Sequence, residues 1–177
     1  MSFDPARIRY RDARPEDAAA LADLARETFL ATFGHLYPQA DRDVFSAENH
    51  TSAVMAARLA DPARAFRLAC LGDALVGYCG VGALKLPIDP GARAPFEIHT
   101  LYLVEAAKGA GVADALMAWA LDLARARGAE DAYLGVYHAN ARALAFYKRH
   151  GFEIVGRYDF PVGATLDDER IMRRALV

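Results

Sequence analysis

At 177 residues, 54% hydrophobic and 25% charged, the chain is sized for a single domain, residues 1–177, with a sizeable core, and its composition excludes disorder. Twenty-one Lys and Arg against 23 Asp and Glu leave a formal charge of −2, without the basic excess that tracking a phosphate backbone requires, so nucleic acid is excluded as a partner class. Two cysteines, Cys70 and Cys79, are too few for a disulfide framework or a four-ligand zinc site, which fits a reducing cytoplasm.

Residues 8–13 alternate apolar and charged side chains, the period of a half-buried strand. Pro15 suits a first helical turn, and Ala18, Leu21, Leu24, Ala25 and Thr28 recur at helical spacing as far as Phe29 and Phe33, with an end near Gly34. Residues 35–49 mix turn residues with aromatics and read as a loop that could cover a site; residues 51–60 read as a short helix stopped by Asp61-Pro62. Two apolar runs, 64–71 and 74–85, flank the tight turn Gly72-Asp73 and predict an antiparallel hairpin. After a Pro- and Gly-rich loop over 87–94, residues 95–104 predict a central strand.

Val112, Leu116, Ala120 and Leu123 restore helical spacing, and the helix stops at the basic residues and glycine of 125–128. A short strand over 131–137 follows, then a short helix over 140–150 with Asn140 as N-cap and Gly151 at its end. Residues 153–162 and 170–176 complete the chain as two strands joined by an acidic turn at Asp167, Asp168 and Glu169. The order is strand, two helices, three strands, helix, strand, helix, two strands. It predicts an α/β fold: a mixed, mostly antiparallel sheet of about seven strands flanked by helices.

Lys108-Gly109-Ala110-Gly111-Val112-Ala113 falls between a strand end and a helix start, where amides without intrahelical partners attract anions. The small residues let a pyrophosphate approach the backbone, and Lys108 and the helix dipole add favourable charge; a small-residue turn chosen for tight packing would look the same. Asp114 breaks G-x-G-x-x-G, and there is no G-x-x-x-x-G-K-S/T, which disfavours NAD and ATP. Three linked blocks decide the matter: Glu97 to Leu103 before the loop, the loop itself, and Asn140-x-x-Ala143-x-x-Phe146-Tyr147-x-x-x-Gly151-Phe152 after it. Together they resemble the GNAT acetyltransferase superfamily, whose Q/R-x-x-G-x-G/A signature the loop matches with Lys108 in first place. Lys108 replaces the usual Arg or Gln and gives up bidentate geometry.

The resemblance implies acetyl-coenzyme A as the acyl donor. Its pyrophosphate would lie on the amides of Gly109, Ala110, Gly111, Val112 and Ala113, and its pantetheine along the backbone of Leu101 and Leu103. Pantetheine is an amide chain, so a strand with a free edge can pair with it; a splay between residues 101–103 and the strand 131–137 would supply that edge. Asn140 matches a cofactor-contacting Asn of the superfamily, a role compatible with capping. Tyr147 stands where the superfamily's general acid stands, and a phenol with a pKa near ~10 can donate its proton to a leaving thiolate at neutral pH; it could also simply fill space on its helix. Glu97 matches a base of several branches, His99 is the alternative two residues on, and either could instead hold strands together by hydrogen bonds. Cys70 and Cys79 have no His and carboxylate at a recognisable spacing, so direct transfer to an amine is expected.

The segment from Glu27 to Phe33, the block from Glu97 to Leu103, and the ending from Asp159 through Met172 are similar to the bacterial polyamine acetyltransferase branch. That similarity, with Phe29, Phe33 and Tyr37 as aromatic cleft residues beside His35, and with Glu48, Glu97 and Asp167 to Glu169 as acidic margins, implies a small amine acceptor such as a di- or polyamine. The rival expectations are a non-catalytic acyl-coenzyme A sensor and a protein or peptide amine acetyltransferase. No metal is expected, because the five histidines form no ligand spacing, and no membrane partner, because no stretch approaches ~18 apolar residues. The last two strands present an edge through which a homodimer could form.

Overall fold

The computed structural model describes residues 4–177. Strand β1 (Ile8–Asp12) leads through a turn opened by Pro15 into α1 (Ala18–Phe33), α2 (Gln39–Asn49) and α3 (Ser52–Ala60). Then follow β2 (Ala65–Leu71), β3 (Ala74–Gly82), β4 (Pro95–Leu103), α4 (Val112–Ala126), β5 (Asp131–Tyr137), α5 (Ala141–Arg149), β6 (Glu153–Val162) and β7 (Thr165–Ala175). The seven strands form one sheet in the order β1-β2-β3-β4-β5-β7-β6, in which the β4–β5 pair is parallel and the other five are antiparallel. The expected mixed sheet flanked by helices is present.

Each face of the sheet is covered by helices whose apolar positions recur at three and four residues. Leu116, Met117, Ala120, Leu121 and Ala124 of α4 pack with Val81, Ile98, Leu134 and Phe152 in one cluster, and the inner face of α5 joins it. Leu21, Leu24 and Ala25 of α1 pack with Met55 of α3 and with Leu68 and Tyr78 of the sheet in a second cluster. At ~25 cal/mol per Å² of apolar surface removed from water, these two layers supply the main drive to fold.

Two segments depart from the sequence reading. Residues 39–49 form helix α2 where a loop was expected: the segment is polar on average and the helix buries no residue fully. Its anchor is distant in sequence: Asp41 Oδ1 accepts from the Ala164 amide at 2.9 Å, and Oδ2 accepts from the Thr165 hydroxyl at 2.6 Å. The acidic triplet is the second departure. Asp167, Asp168 and Glu169 lie inside β7, and the chain turns earlier, at Gly163 and Ala164. Strand alternation therefore sends them to opposite faces. Asp168 pairs with Arg170 and Arg157 at 2.5 and 3.2 Å, while Asp167 is buried.

Candidate functional site

A cleft opens where the sheet comes apart. β4 and β5 pair only from Pro95 to Glu97 against Asp131 to Tyr133. At that closed end Arg93 donates to the fully buried Asp131 carboxylate, from Nε at 2.7 Å and from Nη2 at 3.0 Å. Beyond it β4 stays paired to β3 and β5 to β7, so each presents an unpaired edge to the gap. This is the splay the sequence called for. The gap belongs to a cavity of about 940 Å³ that runs from the start of α4 to the aromatic residues of α1 and α2.

At the α4 end, Gly109 and Gly111 have φ of +80° and +79°, a region that costs any residue with a Cβ. Nothing lies within 4 Å of where a Cβ would sit on either, so the space beside the loop is open. No side chain caps α4, which leaves its first amides free to meet an anion. Lys108, Gly109, Gly111, Ala113, Leu101, Leu103 and Asn140 all line the cavity. Ala110 and Val112 do not: Val112 is buried in the α4 core and the partly buried Ala110 packs against it. Lys108 Nζ lies 2.7 Å from Glu105, so its charge is already paired. Asn140 does cap α5, its side chain accepting from the Ala143 amide at 3.1 Å.

Arg142 and Arg149 of α5 line the same end and went unremarked in the sequence. Seven residues apart on one helix, they share a face with Phe146, over whose ring the Arg149 guanidinium sits at 5.6 Å. An i, i+7 basic pair within the N-x-x-A-x-x-F-Y-x-x-x-G-F run was the available signal.

Glu97 and His99 both line the middle of the cavity, though not as a regular strand would place them. A bulge shifts the register between Gly80 opposite Thr100 and Val81 opposite Ile98, leaving His99 as the extra residue. His99 Nε2 pairs with the Ala83 carbonyl at 2.9 Å and lies 4.0 Å from the Glu97 carboxylate. Burial, outweighing the pull of Ala83 and Glu97, holds the imidazole pKa below its ordinary value, so the ring is neutral at pH 7. Glu97 Oε2 accepts from the amides of Lys85 at 2.5 Å and Leu86 at 3.1 Å, which makes it the anchor of the chain leaving β3.

Tyr147 also lines the cavity, its ring 5.5 Å from Phe146 and 6.1 Å from Phe152. Burial first, and then the nearby Cys79 and Glu169, push its phenol well above the usual tyrosine range, so it keeps its proton at any working pH.

Phe29, Phe33 and Tyr37 line the α2 end with Phe45 and Phe160, while His35 and Glu48 are exposed and outside the cavity, contrary to the sequence reading. Phe29 stacks on Phe45 at 4.6 Å and on Tyr37 at 6.0 Å. The buried Tyr37 hydroxyl donates to Asp167, and the Tyr158 hydroxyl donates to Glu169 at 2.7 Å. Burial, only partly offset by Tyr158, pushes the Glu169 carboxyl up to about 7. Among the described residues no cluster of three His, Cys, Asp or Glu is suited to a metal.

The model of the acetyltransferase (GNAT) family matches residues 19–152. An uncharacterized N-acetyltransferase of Mycobacterium bovis is 36% identical over 162 residues, covering 91% of this chain and 99% of the relative. The N-alpha-acetyltransferase RimI of Mycobacterium tuberculosis is 37% identical over 121 residues, covering 66% of this chain and 69% of the relative. Among solved structures, the PaiA N-acetyltransferase of Thermoplasma acidophilum, in complex with coenzyme A, superposes with a TM-score of 0.76 at 19% identity, covering 95% of this chain and 98% of that one.

Proposed function

From the premise that this chain belongs to the acetyltransferase (GNAT) family and is an acetyl-coenzyme A-dependent N-acetyltransferase, we propose that its acceptor is the amine of a small cationic molecule, of the diamine or polyamine kind. The observation that carries this reading is the α2 end of the cavity, where two carboxylates, each paired with a phenol, sit behind a wall of aromatic rings. Carboxylates attract an ammonium, aromatic faces accept a cation, and the α2 cover leaves less room for a folded protein.

The family's acetyl donor suits the α4 end. The uncapped amides after Gly109 and Gly111 would take its pyrophosphate, the open β4 edge at Leu101 and Leu103 its pantetheine, and Asn140 a further polar contact. Acetyl-coenzyme A supplies the electrophilic thioester carbonyl and a thiol as leaving group. Tyr147, held neutral, protonates the departing sulfur. Glu97 and the neutral His99 border the path of the amine, and each is tied to backbone by hydrogen bonds that position it.

A competition assay for coenzyme A release, offering spermidine, small monoamines, amino acids and a peptide, tests the reading: kcat/KM is expected to be highest for a di- or polyamine. The likeness to RimI supports a second reading, a peptide α-amine as acceptor, and a peptide winning the competition would establish it in place of the first.

A further inference from the structure

We propose that Glu169 is the proton acceptor for the attacking amine, a catalytic carboxylate on the far side of the cleft from Glu97. This rests on the reading of the chain as an amine acetyltransferase. Glu97 and Glu169 both face the cavity but are held differently. One Glu97 oxygen is committed to two backbone amides, which tie the side chain to the segment leaving β3. Among the described residues Glu169 carries a single hydrogen bond, from a neutral phenol, and it lines the cavity beside Gly135 of β5.

The position of that carboxylate follows from the register. Glu169 lies opposite Tyr137 of β5 and Tyr158 of β6. A Cβ on Gly135 would come 2.8 Å from Glu169 Oε2 and 2.6 Å from the Tyr158 hydroxyl. Gly135 is two residues past Tyr133, the last residue of β5 paired to β4, so the carboxylate stands near the vertex of the splay. That vertex is where a chain laid along the β4 edge from Leu103 inward would end, and Tyr147 and Glu169 line the same cavity. Base and acid therefore share one pocket.

The titratable groups that line the cavity with Glu169 and act on it or feel its charge are Asp167 on its own strand, Tyr158 of β6, Tyr37 from the turn after α1, Tyr102 of β4 and Tyr147 of α5. Glu97 also acts on the Tyr158 phenol, as Glu169 does. None of these groups is cationic. With burial and the Asp167 charge opposing ionisation, the carboxyl titrates at about 7, matched to accepting a proton at neutral pH. The ammonium gives one proton to Glu169, and the freed nitrogen pair forms the N–C bond to the acetyl carbon. As the C–S bond breaks, its pair leaves on sulfur, which takes the Tyr147 proton. The second proton lost by nitrogen restores the phenol, and Glu169 releases its proton to solvent.

The test compares wild type with Glu169→Gln, Tyr158→Phe and Glu97→Gln in pH profiles of kcat/KM with spermidine, alongside carboxyl NMR titration of the protein without acetyl donor. Wild type is expected to show a limb rising through about pH 7 and a carboxyl titrating there. Glu169→Gln should remove both and lower kcat by ~10²-fold, while Glu97→Gln keeps both. Tyr158→Phe removes a hydrogen bond that favours the ionised carboxylate, so limb and titration should move together to higher pH, a shift that loss of packing alone would not produce. A limb that survives Glu169→Gln, or that stays put in Tyr158→Phe while the carboxyl moves, overturns the assignment. Should Glu169→Gln fail to fold, Tyr158→Phe decides alone. Wild type that releases no coenzyme A with any amine, yet binds it, would overturn the acceptor reading instead.

Discussion

The two ends of the cavity are built on different principles. The α4 end is local: six consecutive residues, 108–113, set two left-handed glycines and an uncapped helix start within one turn of chain. The α2 end is assembled from afar: Tyr37, Tyr158, Asp167 and Glu169 come from three segments, and Asp41 joins α2 to the β6–β7 turn across 123 residues. A local backbone motif suits a part of the ligand that never varies, such as a pyrophosphate. Side chains gathered from distant segments can change one at a time, which suits an acceptor that differs between relatives.

The sharpest way to join the two ends is to remove the proposed proton donor between them. Tyr147→Phe is expected to lower kcat by ~10²-fold or more with coenzyme A affinity unchanged, because only a transition-state proton is lost. Steady-state thiol release and calorimetry read the two quantities separately, and wild-type turnover would show that another group protonates the sulfur.

Breaking the α4 end alone should weaken the donor and spare the acceptor. Gly111→Asp places a side chain at φ +79° and a carboxylate beside the proposed pyrophosphate site. A loss of ~10- to 100-fold in coenzyme A affinity is expected from strain and repulsion together. Calorimetry on a variant with an intact melting transition checks it, and unchanged affinity would remove the pyrophosphate from this loop.

The converse break is smaller. In Gly135→Ala the new methyl must displace the Tyr158 hydroxyl and the Glu169 carboxylate, since it would lie under 3 Å from both. The expected result is a rise of roughly fivefold to tenfold in KM for the amine, equivalent to overpacking by about 1 kcal/mol, with coenzyme A affinity unchanged. Equal effects on both ligands would mean that the two ends are not independent.

The smallest effect is on stability. In the fold the Glu169 carboxyl is raised from 4.5 to about 7, so between those values the folded chain holds a proton that the unfolded chain has released. This group's contribution is fully present below about 4.5 and is lost as pH rises through about 7. Melting temperatures of wild type and Glu169→Gln, taken across that range, should therefore diverge in favour of the variant as pH increases. The difference cancels the opposing titration of His50, which burial depresses to about 4 in both proteins. Parallel curves would mean that Glu169 ionises as freely in the fold as in the unfolded chain.

The sequence by itself determined the elements that carry their own periodicity or punctuation: the Gly72-Asp73 hairpin, the α4 stripe from Val112, the Asn140 cap, and the glycines of the 108–113 loop. Each is fixed by interactions within a few residues, which a linear reading can see. The splay was also foreseen, from the resemblance, and the sheet supplies it by ending the β4–β5 pairing at Glu97. Tertiary structure alone decided the rest. Helix α2 has no buried residue to mark it and is held by Asp41 on a remote turn. The β4 bulge is invisible until β3 supplies the opposing register. Asp167, Asp168 and Glu169 read as one acidic turn in the sequence, yet strand alternation gives Asp168 to Arg157 and Arg170 and turns its two neighbours into the cavity. Which face a charged residue meets depends on where its strand begins, and here the β6–β7 turn at Gly163, pinned by Asp41, sets that beginning.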